Sequence, residues 1–247
     1  MRAAFIVAKR EIASWFASPV AYVVLTAWVL ICGISYYFLA AYFAQNAATG
    51  GSDNPLTQFF GGTTLFYLPF LVMVPVLTMR LIAEETRSGS LEALLTAPVS
   101  SAAVIVGKYI AALVFWMSLW VPTLLYVWIT SRYGDVDLGA IASSYLGVFG
   151  IGVQAMALGL LMSTIAPNQI IAAVLTFLIT MTFFVLGIGQ FIFLDTAREV
   201  LEYISIWNHM SDFSRGIVDT RHLVFDASVA AVALFLAHQR LESRRIG

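Results

Sequence analysis

Long apolar runs alternate with short polar punctuation along the chain, and the runs are of membrane-crossing length. A transmembrane helix needs about 20 predominantly apolar residues. Six stretches fit: Val20 to Phe43, Phe59 to Met79, Ala103 to Thr130, Leu138 to Ile165, Ile170 to Leu194 and Leu223 to about Arg240. The third and fourth are long enough to tilt or to extend past a bilayer. The sixth is the weakest, with Asp226 near its start and Arg240 left to snorkel toward the interface. Pro69 and Pro75 within the second run and Pro122 within the third each remove a backbone donor and favour a kink.

The polar segments between the runs carry patterns of their own. Over residues 1–18, Phe5, Ala8, Ile12, Trp15 and Phe16 share one helical face, with Arg2, Lys9 and Arg10 away from it. This predicts an interfacial helix, and Ser18 and Pro19 turn the chain into the first span. Residues 44–57 read as a Gly/Asn/Ser loop. Residues 195–222 show Ala197, Val200, Leu201 and Ile204 at helical spacing, followed by Trp207, which predicts a short helix, a turn near Asn208 and a second short helix. That pair either dips into the bilayer or rests on it.

The segment AEETRSGSLEALLTAPVS, residues 83–100, is the most sharply punctuated. Gly89 and Ser90 break the chain, Ser90 fits as an N-cap, Glu92 suits the first turn, and Pro98 stops the helix. Leu91, Leu94 and Leu95 line one face at i, i+3 and i+4. So short a helix is not stable alone in water, and burial of each leucine is worth about 1.5–3 kcal/mol. The leucines therefore pack either on the bundle's own ends or on a partner. Glu84, Glu85 and Arg87 form a charged collar before them, suited to a soluble protein's groove and equally to a solvated helix end.

Composition sharpens the class. The chain is 60% hydrophobic and 11% charged, against about 25% charged in a soluble domain. Its surface must largely face lipid, which makes it an all-α integral membrane protein read as a single transmembrane domain over residues 1–247. Net charge is −1, with no signal for nucleic acid. Six spans put both termini on one side. With the termini in the cytoplasm, nine basic residues lie inside (Arg2, Lys9, Arg10, Arg80, Arg87, Lys108, Arg240, Arg244, Arg245) and four outside (Arg132, Arg198, Arg215, Arg221). The positive-inside rule therefore predicts cytoplasmic termini.

Candidate chemistry is sparse. The apolar cores of the first five spans hold no ionisable residue, with Lys108 and Asp137 assigned to span ends, which argues against an ion-driven carrier. Gln154 and Gln190 are expected to make interhelical hydrogen bonds. His209 and His222 lie in the outer segment and His238 at the inner end of the sixth span, so the three are not expected to converge. No HExxH or GxSxG motif occurs, and Gly107-Lys108 lacks the glycine a P-loop requires five residues earlier. Cys32 is a lone cysteine in an apolar run. No catalytic, cofactor or metal site is expected, so any uphill work must be energised through contact with a partner.

The stretch PVLTMRLIAEETRSGSLEALLTAPVSSAAVIVGKY, Pro75 to Tyr109, resembles the signature region of type-2 ABC transporter permeases. The similarity continues through SPVAY (Ser18 to Tyr22), PTLLY (Pro122 to Tyr126), SYLGV (Ser144 to Val148), NQIIA (Asn168 to Ala172) and RGIVDTRHLVF (Arg215 to Phe225), nearest to the gliding-motility-associated (GldF-like) permeases. The resemblance implies six transmembrane helices, an N-terminal elbow helix, a cytoplasmic coupling helix from Ser90 to Ala97 between helices 2 and 3, and short extracytoplasmic helices between helices 5 and 6. It implies a permease subunit of an exporter in a bacterial inner membrane, working with two ATP-binding-cassette subunits and a second permease, identical or a larger paralogue with an extracytoplasmic domain. Glu84, Glu85, Arg87, Ser90, Leu91, Glu92, Leu94 and Leu95 would then contact the ATPase. A mechanotransmission or scaffolding subunit that moves no substrate is the alternative.

Overall fold

The structure is a computed structural model and describes residues 2–45, 55–62, 64–90, 100–192 and 194–246. Every regular element among them is helical. In chain order they are α1 (Arg2–Ala17), α2 (Pro19–Gln45), the short α3 (Pro55–Thr57) running into a π turn (Gln58–Gly62), α4 (Thr64–Thr78) and α5 (Ala83–Ser88). Then come α6 (Ser101–Trp120), α7 (Leu124–Tyr133), α8 (Leu138–Ile165), α9 (Gln169–Gly189), α10 (Asp195–Ile204), α11 (Ile206–Ser214) and α12 (Thr220–Ile246). Six helical stretches are long and apolar enough to cross a membrane: Pro19–Gln45, Phe66–Ser88, Ser101–Tyr133, Leu138–Ile165, Gln169–Gly189 and Thr220–Arg244. The chain is an all-α, six-span, multi-pass membrane protein.

The fourth span keeps the boundaries its hydropathy predicts, because both ends are punctuated. The Asp137 carboxylate accepts the N–H groups of Gly139 and Ala140 at 2.8 and 3.3 Å, and Pro167 follows its last residues. The third span bends where Pro122 predicts, through a 3-10 turn at Val121–Thr123 between α6 and α7. The sixth runs past its apolar stretch at both ends. Asp219 accepts the Arg221 N–H at 2.8 Å near its start, and Leu241, beyond Arg240, is still buried. The second span starts late: Phe59 and Phe60 are buried in the π turn, whose Gly61 lies directly against Ser214 and Met210 of α11.

α8 is the central post. Its most apolar window is 78% buried, against 22% for α2 and α9, which turn most of their surface outward. Its glycines make this possible, since small residues let neighbouring helices approach closely. A Cβ at Gly147 would lie 2.7 Å from the Phe213 ring. Gly152 is covered by Trp116 and Gly159 by Thr78. Across from this post, Trp28 of α2 meets Trp116 and Trp120 of α6 with ring centroids 5.8 and 5.1 Å away. The Trp116 indole also donates to the Val148 carbonyl at 3.1 Å, tying α6 to α8.

Two expected glutamine contacts divide. Gln190 donates to Ser205 Oγ at 3.3 Å, joining the end of α9 to the α10–α11 junction. Gln154 is buried with neither amide atom partnered among the described residues. Its surroundings are apolar, and the nearby Thr180 hydroxyl is committed to the Thr176 and Phe177 carbonyls of its own helix.

Candidate functional site

Both chain termini lie at one end of the bundle, and the collar Glu84–Arg87 lies there on α5. The turn between α4 and α5 exposes backbone donors that have no helical partner. Ser163 of α8 supplies one: its hydroxyl accepts the Ile82 and Ala83 N–H groups, both at 3.0 Å, and donates to the Met79 carbonyl at 3.4 Å. Thr86 receives the Arg244 guanidinium at 3.2 Å from α12. Gly89, at φ 73°, closes α5 in the left-handed conformation that glycine adopts without cost. α5 is thereby fixed to α8 and α12, and the chain leaves it at Gly89 and Ser90, both exposed.

Beneath α5 lies an ion triad. Lys108, on the eighth residue of α6, is 3% exposed. Its ammonium bonds Glu11 of α1 at 2.7 Å and Glu85 of α5 at 2.8 Å. α1 reaches it because Gly107 has no side chain: a Cβ there would be 2.7 Å from Val7 Cβ. Farther along α1, the Trp15 and Phe16 rings meet Phe115 in tilted contacts, with centroids 4.5 and 5.5 Å away. Lys108 keeps its place near the end of its span but is buried there, paired with two carboxylates instead of facing solvent. The face of α1 packed on the bundle includes Val7, Ala8 and Glu11, and Phe5, 71% exposed, is left to face outward. A cavity of about 480 Å³ opens beside the triad, lined also by Arg10, Arg80 and Glu84.

The structure thus brings Glu84 and Glu85 to one cavity wall, turns Glu85 inward onto Lys108, and leaves Arg87 and Ser90 exposed. Leu91, Glu92, Leu94 and Leu95 lie outside the described residues. Lys108 and Glu11 were missed in the sequence. The available signal was a lysine well inside an apolar run, which demands a carboxylate partner.

At the opposite end, α10 and α11 fold back onto the spans. The break between them falls at Ser205, three residues before the expected turn, because the Ser205 hydroxyl caps α11 by accepting the Asn208 N–H at 3.3 Å. Ile206, His209, Met210 and Phe213 of α11 are buried against the bundle. His209 and His222 come together, with ring centroids 4.1 Å apart. His222 Nε2 lies 2.9 Å from Asp212 Oδ2, and His209 Nδ1 lies 3.4 Å from Asp226 Oδ1. His238 stays apart near the other end, so the histidines converge as a pair with two aspartates rather than staying separate. No group of three or more side chains suited to a metal occurs among the described residues.

Residues 5–221 match the family model described as ABC-2 family transporter protein. The chain belongs to that family. Among curated proteins none gives a significant match. As an ABC-2 permease the chain is a membrane transport component and is not itself catalytic, in keeping with the inert thiol of Cys32, buried between spans. The match takes in α1 through α11, and therefore the whole Glu11–Lys108–Glu85 triad, but it stops short of His222 and Asp226.

Proposed function

We propose that this permease is the membrane subunit of an ATP-driven exporter, energised by a separate ATP-binding-cassette subunit that grips the segment from α5 through the expected coupling helix, Ser90 to Ala97. The observation that carries the reading is the Lys108 triad. It fastens α5 to α6 and to α1 through one buried ammonium, so a push on α5 is delivered to two further helices rather than absorbed in a loop. The Ser163 and Arg244 contacts extend the same linkage to α8 and α12. Both termini and α5 face the cytoplasm of a bacterial inner membrane on this reading, by the nine-to-four balance of basic residues.

The centre of the single chain is filled by its aromatic core, so a pathway would form against a second permease, with two ATPase subunits below. The outward apolar surfaces of α2 and α9 suit either lipid or that second subunit. Its resemblance to gliding-motility-associated permeases favours a larger paralogue bearing an extracytoplasmic domain. The seating of α11 among the spans favours a second reading, in which motion is passed to an outer partner and no substrate crosses. Gentle solubilisation should retain an ATPase whose turnover rises on contact with this chain. Leu94→Asp should abolish that recruitment while leaving membrane insertion intact. Normal recruitment by the variant overturns the assignment.

A further inference from the structure

Asp226 is 1% exposed, and neither of its carboxylate oxygens has a hydrogen-bond partner among the described residues. A lone ionised carboxylate does not survive such burial. It sits deep: a Cβ at Gly150 would lie 2.9 Å from Asp226 Oδ2, and Gly150 is about 18 Å along α8 from Leu138 at 1.5 Å per residue. The facing group is His209, itself fully buried. His209 Nε2 lies 3.0 Å from the Tyr203 carbonyl oxygen. A carbonyl only accepts, so Nε2 carries a hydrogen. That leaves Nδ1 opposite the carboxyl, where two arrangements are stable: an imidazolium beside a carboxylate, or a neutral imidazole beside a protonated acid. Both contain one proton between the two groups. Without it a nitrogen lone pair would face a carboxylate in a dry site.

Among the described side chains no other charge substitutes for that proton. α8 and α9 contain no acidic, basic or histidine residue. On α10, Arg198 and Glu202 pair with each other at 2.7 Å on the surface, and Glu199 is exposed. Arg215, Asp219 and Arg221 are on the exposed stretch before α12 or at its start, and Lys108 is at the other end of the bundle. Toward solvent lies His222, whose ring lies against His209 and whose Nε2 donates to the part-exposed Asp212.

We propose that His209 and Asp226 form a proton-binding site, loaded through Asp212 and His222, and that the proton held there fastens α11 to α12 and α8. The sign follows from the geometry. The clasp is fully closed at low pH and loosens as pH rises from the point where the opened pair loses the proton to the point where the closed pair loses it. A single linked proton changes an opening equilibrium by about tenfold per pH unit.

The test uses the full chain in lipid nanodiscs. Amide hydrogen exchange of residues 206–214, corrected for intrinsic exchange, should lose about tenfold in protection per pH unit once the opened pair has released its proton, and level off where the closed pair releases its own. Asp226→Asn supplies a side-chain N–H to Nδ1 at every pH, so its protection should be flat. Equal pH dependence in both proteins overturns the proposal. A measurement on the unmodified chain guards against a misfolded variant. With only three histidines, nitrogen-15 histidine spectra resolve His209 directly, and carboxyl carbon-13 labelling reports Asp226. A bare Nδ1 coexisting with an ionised Asp226, with α11 still protected, also overturns it. Neither readout involves an ATPase, so failure here leaves the exporter reading untouched.

Discussion

The two ends of the bundle bury charge in opposite ways. At the end bearing α1 and α5, one ammonium sits between two carboxylates at 2.7 and 2.8 Å, and both glutamate side chains are partly exposed although Glu85 Oε2 is buried without a partner among the described residues. At the other end, the buried carboxylate of Asp226 has only a histidine beside it, at 3.4 Å. The Lys108 ammonium, bonded on two sides, ties α1, α5 and α6 together. Histidine is the side chain whose charge changes in the ordinary pH range, so the far end is a fastening that depends on conditions. A part that must pass on force is built from the first kind of contact. A part that must open is better built from the second.

Removing the lysine should break this contrast most severely. Lys108→Met leaves Glu11 and Glu85 facing each other without a cation, and loss of one partner from a buried pair costs about 3–5 kcal/mol. Thermal unfolding in detergent should show it, and Glu11→Gln with Glu85→Gln in the Lys108→Met background should recover most of it. The variant should keep the pH dependence of α11 exchange expected of the unaltered chain, because the two clusters lie at opposite ends of the bundle.

Next in size is Gly150→Ala. The added methyl falls 2.9 Å from Asp226 Oδ2, and overpacking of this sort costs about 1–3 kcal/mol. It should raise α11 exchange selectively, leaving α5 as protected as before. Ser163→Ala is the matching change at the near end. It removes the acceptor for the Ile82 and Ala83 N–H groups, a capping loss of about 1 kcal/mol, and should free α5 while α11 is unaffected. Smallest is Arg198→Ala, which removes an exposed i, i+4 pair worth about 0.3–0.5 kcal/mol. A larger response there would mean that α10 is held by that ion pair instead of by its packing.

The fold was legible to the extent that it is written in contiguous residues. α8 ends where Asp137 and Pro167 punctuate it, and Pro122 marks the break in the third span, because both effects are local to the backbone. The ionic contacts were not legible. Glu11 and Lys108 are 97 residues apart, and Lys108 and Glu85 are 23 apart, so only the packing of α1 over Gly107 reveals that they meet. The same holds for His209 and Asp226, which looked like a loop residue and a weak helix start. Gln154 misled in the other direction. A polar side chain in a span is usually bonded across helices, but this one faces phenylalanine and leucine. Of the ATPase-facing candidates, Glu84, Glu85 and Arg87 can be seen on α5, and Glu85 proves to be engaged within the chain.

The glycine positions along α8 have a mechanical result. With Phe213, Asp226, Trp116 and Thr78 seated directly on its backbone, this helix has no slack in which to bow or shorten, so a displacement arriving at Ser163 cannot dissipate on the way. On the proposed reading, such a displacement would emerge as tilting of the whole rod, felt most by the loosely flanked helices at the periphery, α2 and α9.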